Sequence, residues 1–98
     1  MRIFYTSCAN QQDAKILAKK IIEAKLAACI NILPESLSIY RWQDKICEEN
    51  EVTLIIKTTE ANNTALREFI AKHHPYELPA IIDFAADATE EYLEFLSD

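Results

Sequence analysis

Two rhythms of apolar and polar residues run along the chain. Residues 2 to 8 form a short apolar strand. Asn10-Gln11-Gln12-Asp13 reads as a helix start, with Asn10 as N-cap and Asp13 near the third helical position. Ala14, Leu17, Ala18, Ile21 and Ile22 then recur at helical spacing, with Lys15, Lys19, Lys20 and Glu23 mostly opposite. This predicts a helix from about Gln11 to Lys25. Ala27 to Leu33 is β-branched and apolar, and Leu37 to Trp42 resumes strand character. Pro34 between them cannot donate to a ladder, so it marks a bulge or bend. Gln43-Asp44-Lys45 is the expected hairpin tip, and Ile46 to Thr58 the returning strand. Its polar stretch Glu48 to Glu51 is expected roughly opposite Pro34-Glu35-Ser36. A second helix from about Ala61 to His73 turns Leu66, Phe69 and Ile70 inward. Ala80 to Ala85 forms a fourth strand. Thr89 caps a short last helix that packs through Tyr92, Leu93, Phe95 and Leu96.

The order is β-α-β-β-α-β plus a C-terminal helix. It predicts one α+β domain over residues 1–98 of ferredoxin-like type, an antiparallel sheet with two helices on one face. The run from Ile30 to Trp42 spans about 43 Å when extended at ~3.3 Å per residue. A domain of this size has a radius of gyration of about 13 Å. The β2–β3 hairpin therefore projects beyond its sheet. A projecting ribbon is marginal alone, and this one carries Leu37, Ile39, Tyr40, Trp42 and Ile46. Another copy of the chain is the simplest cover, which predicts an obligate homo-oligomer.

Composition narrows the function. The net charge is −6 and the basic residues are scattered, which argues against nucleic acid. No run of about 18 apolar residues is present to cross a membrane, and the opening residues read as a strand rather than a leader, so the expected compartment is the cytoplasm. The three cysteines are too sparse for a disulfide scaffold and are expected as free thiols. Glycine is absent, so turns with positive φ fall to other residues, with Asn50 and Asp44 the candidates.

The chemistry concentrates in His73-His74-Pro75-Tyr76-Glu77-Leu78-Pro79. Each proline fixes its own φ and pushes the preceding residue out of the helical region. The helix should therefore stop at His73 or His74. Imidazoles suit copper and zinc, yet adjacent side chains diverge, so one chain does not readily close both on one ion. A cation at a helix C-terminus also serves stability alone. Cys29, which shares a strand face with Asn31, is either a buried small hydrophobe or a soft ligand. Lys57, in an apolar strand, needs a carboxylate partner or an anion, with Glu51 and Glu77 as candidate partners. Tyr76 and Glu77 either anchor the bend or face a ligand, and Tyr40 and Trp42 read as interface packing. No Ser-His-Asp order, phosphate loop, CxxC pair or HExxH is present. A Cys29–His74 nucleophile pair has little support, so a non-enzyme is expected.

Several separated runs resemble the CutA family, the divalent-cation tolerance proteins. They are Lys25-Leu26-Ala27-Ala28-Cys29-Ile30-Asn31-Ile32, Ser38-Ile39-Tyr40-Arg41-Trp42-Gln43-Asp44-Lys45-Ile46, Glu51, Leu54 to Thr58, His74 to Pro79 and Tyr92-Leu93. The resemblance implies a ferredoxin-like fold, an interlocked homotrimer, a cytoplasmic setting in bacteria and an association with copper and other divalent metals. It implies no settled biochemical activity. The family usually has glycine at the position of Asp44. Some members carry a first-strand cysteine, taken with the two histidines as a copper site, at the position of Thr6. Cys8 substitutes for it only if the strand stays extended that far. The expected metal ligands are thus His73, His74 and Cys8. The expected cleft between subunits draws on Cys29, Lys57, His74, Tyr76 and Glu77, and weak copper binding there is the first functional reading. The alternative is a small-molecule or anion sensor resembling the trimeric PII signalling proteins, with Lys57 holding the anion.

Overall fold

A computed structural model describes residues 1–98. The chain runs through β1 (Arg2–Cys8), α1 (Gln11–Glu23), β2 (Cys29–Trp42), β3 (Lys45–Thr58), α2 (Asn63–His73), β4 (Ile82–Ala85) and α3 (Glu90–Ser97). A 3-10 turn, Glu60–Asn62, leads into α2. The sheet order is β2-β3-β1-β4 and every pair is antiparallel. This is the expected ferredoxin-like α+β arrangement.

Alternation divides the sheet. Phe4, Thr6 and Cys8 of β1 and Val52, Leu54 and Ile56 of β3 are buried with Ala14, Leu17, Ala18 and Ile21 of α1 and Leu66 and Ile70 of α2. The opposite face has no helical cover like this. It carries Ile3, Tyr5, Ile55, Leu33, Ile82 and Phe84, all half-buried or exposed.

β1 pairs with β3 only from Val52 to Thr58. Beyond that, Ser36 to Trp42 and Lys45 to Glu51 have only each other, about 23 Å of free ribbon at ~3.3 Å per residue. The molecule is accordingly elongated, 45 × 24 × 23 Å. The expected bend is a bulge. Leu33 pairs with Thr53 and Ser36 with Glu51, so Pro34 and Glu35 together face Val52. The acidic stretch therefore lies one step further out than the sequence suggests, with Glu48, Glu49 and Asn50 opposite Ile39, Ser38 and Leu37. Ser36 Oγ pins the bulge, donating to the Glu51 carbonyl at 2.9 Å and lying 2.9 Å from Thr53 Oγ1.

The lack of glycine is met at four positions with positive φ: Lys25, Glu35, Gln43 and Asp44. Gln43 and Asp44 form the two-residue hairpin turn, closed by Trp42 opposite Lys45. Asn50 instead sits inside β3. Lys25 explains why α1 ends at Glu23 rather than Lys25. Its amide donates to the Ile22 carbonyl and that of Leu26 to the Ile21 carbonyl, at 3.0 and 3.2 Å. This is the Schellman ending, with lysine at φ 59° where glycine is usual. The N-terminal cap of α1 is as expected: Asp13 N–H donates to Asn10 Oδ1 at 2.8 Å. β4 starts at Ile82, later than expected, and α2 stops at His73 as the prolines require.

One ion cluster ties the far edge of the sheet to α2. Asp83 on β4 accepts from Arg2 on β1 and from Arg67 on α2, the latter through Nη2 at 2.7 Å and Nε at 3.1 Å. The two guanidinium groups hold the Asp83 carboxyl below its ordinary range.

Two measurements check this account. Lys25→Gly should raise unfolding stability by about 0.5–1 kcal/mol, because glycine enters the left-handed region without a Cβ clash; a loss of stability in denaturant titration would refute the Schellman reading. Asp83→Asn should cost about 2 kcal/mol at neutral pH, between the values for exposed and buried ion pairs. A carboxyl with a depressed folded pKa contributes fully above its unfolded value and loses that contribution as pH falls through the folded one. The gap between wild type and variant should thus close below about pH 4.

Candidate functional site

The proline segment follows α2 and lies beside the end of β1, where the ribbon leaves the sheet. His74 is the C-cap of α2, at φ −68° and ψ 137°, the extended geometry that Pro75 demands. That turn buries the imidazole, leaving it 7% exposed. Its Nδ1 accepts from the Tyr76 amide at 3.0 Å. An amide can only donate, so Nδ1 is unprotonated and the proton sits on Nε2. Nε2–H points at the Ser7 carbonyl, 2.8 Å away, with Cys8 Sγ at 3.9 Å. Both ring nitrogens are thereby occupied. Burial lowers the His74 pKa, outweighing the Ser7 hydrogen bond and the Glu51 and Asp13 carboxylates, which oppose the shift.

β1 does stay extended to Cys8, so Thr6 and Cys8 share a face as substitution would need. That face is the core. Burial first, then the charges of Asp13 and Glu51, push the Cys8 thiol up to about 11, so it stays protonated and a poor ligand. Thr6 Oγ1 is buried with no hydrogen-bond partner, a position that suits the less polar thiol of cysteine. His73 turns elsewhere, its ring 4.2 Å from that of Phe69. The structure therefore joins Cys8 to His74 but does not bring His73 to them. No group of three or more His, Cys, Asp or Glu side chains is arranged to hold an ion within the chain.

Glu51 is the residue that sequence reasoning undervalued. It was a candidate partner for Lys57, yet its carboxylate accepts from Tyr76 OH at 2.6 Å, from Ser38 Oγ, and from Ser7 Oγ at 3.5 Å. Three elements meet there: the loop, the ribbon and β1. Burial and the hydrogen bond to Glu51 hold the Tyr76 phenol well above its usual range. The period-two pattern put Glu51 on a strand. Only the bulge register sets it opposite Ser36, with Ser38 two residues further along the same face.

The other cleft residues lie apart from this cluster. Cys29 pairs directly with Lys57 on the open sheet face. The Lys57 ammonium stands 5.7 Å from the centroid of the Tyr92 ring on α3, and it has neither Glu51 nor Glu77 as a salt-bridge partner. Along β3, Lys57 and Glu51 are about 20 Å apart at ~3.3 Å per residue. One chain thus splits the set into a Cys29–Lys57–Tyr92 end and a Glu51–His74–Tyr76 end. Glu77 projects beyond the second end, into a groove of about 1010 Å³ beside Trp42 and Glu49 of the ribbon.

Residues 2–98 match the family model described as CutA1 divalent ion tolerance protein. A CutA homolog of Xenopus laevis is 39% identical over 95 residues, covering 96% of this chain. This chain spans 63% of that relative's length. Among solved structures, CutA1 from Pyrococcus horikoshii superposes with a TM-score of 0.94 at 39% identity, over 99% of this chain and 95% of that one. A PII-like protein CutA from Nostoc sp. PCC 7120 does so with a TM-score of 0.89 at 32% identity, over 98% and 93%.

The His74 assignment has a direct check. Nitrogen NMR of the imidazole at pH 7.5 should show the neutral Nε2–H tautomer, with protonation only below the ordinary value of about 6.5. The neutral ring then contributes stability above that pH and loses it as pH falls through the depressed folded value. A charged ring, or an Nδ1–H tautomer, would contradict the hydrogen-bond pattern.

Proposed function

The chain belongs to the family of CutA1 divalent ion tolerance proteins, and we propose that it works as a homotrimeric, non-catalytic cytoplasmic protein that takes divalent copper-type cations weakly at clefts between copies. The observation behind this reading is the bare ribbon. Ile46 is 77% exposed, Ile39 64% and Trp42 58%. So large an apolar surface is costly in water. The sheet face opposite the helices, with Phe84 and Ile82 also exposed, adds to it. Copies packed through these surfaces cover both, and the same packing forms the clefts.

The donors within one chain argue for a shared site. Cys8 is protonated and His74 has no free nitrogen. The set Cys8, His73 and His74 therefore does not fit a metal as it stands. A cation would have to draw on residues from more than one copy, with Cys29 of one copy as the soft donor and Glu77 of another as a carboxylate. Weak binding follows from so thin a ligand set. No helix is long and apolar enough to cross a membrane.

A second reading has its own support. Lys57 is a half-buried cation with no carboxylate partner, and a PII-like protein is among the structural neighbours. An anionic small molecule at the Lys57–Tyr92 end would suit it.

Sedimentation of the purified chain at micromolar concentration should give the mass of three chains. Copper titration should then show weak binding that Cys29→Ser reduces while the assembly stays intact. A monomer overturns the reading at its root; binding unchanged in Cys29→Ser removes the cleft assignment. Stabilisation by anionic metabolites and not by divalent cations in a thermal-shift screen would favour the second reading.

A further inference from the structure

Cys29 of β2 and Lys57 of β3 stand directly opposite one another in the antiparallel ladder. Such partners carry their Cβ atoms about 5 Å apart on one face. The row continues through Ile3 and Phe84, and the next row holds Asn31, Ile55, Tyr5 and Ile82. No carboxylate stands in either row, and the Lys57 ammonium forms no salt bridge within the chain. Both residues are half-buried, and Cys29 is a free thiol. Cys29 also borders a hollow of about 440 Å³ with Ala18, Ile22 and Ile30, flanked by Lys19 and Glu23. The other cysteines have no such neighbour: Cys47 pairs with Tyr40, and Cys8 with Val52 in the core.

We propose that Cys29 and Lys57 form a lysine-acylation site fed by small acyl thioesters. Sulfur exchanges with a thioester, and an amine held beside the product attacks it at high effective concentration. The Cys29 sulfur attacks the acyl carbonyl of the carrier thioester. The carrier's C–S bond breaks, and its thiol leaves with the Cys29 proton. Lys57 Nζ releases one proton to water and attacks the carbonyl now held on Cys29. That C–S bond breaks, an amide forms, and a second nitrogen proton returns to the Cys29 sulfur. Nothing is oxidised or reduced, and the thiol is regenerated. The flexible lysine stem covers the cross-strand distance without moving the backbone. The apolar wall of the hollow gives a short acyl chain or its carrier arm a surface beside the sulfur. Acylation removes the Lys57 charge, and with it the contact over the Tyr92 ring. It would also remove the cation on which the anion-binding reading depends. The site itself rests on neither the assembly nor a bound cation.

Acetyl coenzyme A is the probe, and peptide mass spectrometry of the purified protein is the readout. Lys15, Lys20 and Lys72 are exposed while Lys57 is half-buried, so exposure alone makes Lys57 the slowest of the four. The relay should make it the fastest, by about ten-fold or more. Cys29→Ser should drop Lys57 to the rate of the exposed lysines or below. Reductive methylation with formaldehyde, which needs no thiol, should still modify Lys57 at the wild-type rate in that variant. In Lys57→Arg the acetyl group should stay on Cys29 as a hydroxylamine-labile thioester. Lys57 acetylated no faster than the exposed lysines would overturn the site, as would a preference that survives in Cys29→Ser. A parallel fall in methylation would assign the effect to the surroundings of the amine and overturn the relay. So would Lys57→Arg carrying no thioester at Cys29.

Discussion

The structure depends on a mismatch of strand lengths. β1 has seven residues and β3 fourteen, so half of β3 has no neighbour on that side. The sheet cannot cover it, because after Cys8 the chain turns away through the Asn10 cap into α1. Everything beyond Val52 must be held by β2 alone, by the loop after α2, or by another molecule. The loop does this at the root, where Tyr76 reaches the Glu51 carboxylate at the first ribbon position past the β1 pairing. His74 fixes Tyr76 from behind. A few hydrogen bonds, each worth about 1 kcal/mol net and more when a carboxylate accepts, therefore set the direction in which a long apolar ribbon leaves the domain.

Local pattern made most of the fold legible. The helical spacing from Ala14 to Ile22, the Asn10 cap and the proline stop after His73 are short-range rules, and each governs one element. The order of these elements is enough to give the ferredoxin-like sheet. What was not legible depended on registers between distant segments. The bulge puts Pro34 and Glu35 opposite Val52, and alternation within one strand cannot specify that shift. The acidic stretch therefore lies one step further out than the sequence suggests, and Glu51 comes to face Ser36. Residue preference points to Asn50 and Asp44 for positive φ, and Asp44 has it. Asn50 does not, and Lys25 and Glu35 take it as well, where a helix ending and a bulge require it. The demands of the backbone geometry outweighed a steric cost of order 1 kcal/mol.

The histidines show the same limit. Their sequence leaves a ligand and a structural part both open, because two imidazoles lie beside prolines at a helix end. Burial favours the structural part for His74. The turn that Pro75 imposes brings Nδ1 under the Tyr76 amide, and the ring becomes a structural bridge between β1 and the loop. Cys8 follows from alternation once β1 is known to run to its end. The face it lands on is the core, and burial there keeps the thiol protonated.

The availability of donors therefore shapes the relation to divalent ions. Asp83 is taken by two arginines. Glu51 is taken by three hydroxyls. Near the ribbon and the open sheet face, the groups left accessible include the carboxylates Glu48, Glu49 and Glu77 and the half-buried thiols Cys29 and Cys47. Cys29 lies at the Lys57 end and Glu77 at the ribbon end, too far apart in one chain to meet. The half-buried carboxylate and the buried imidazole nearest the proline segment, Glu51 and His74, are thus engaged in holding the chain's own shape. The proposed sharing of a site between copies therefore starts from how the fold uses its side chains, since Cys8 and His74 are already committed to the core.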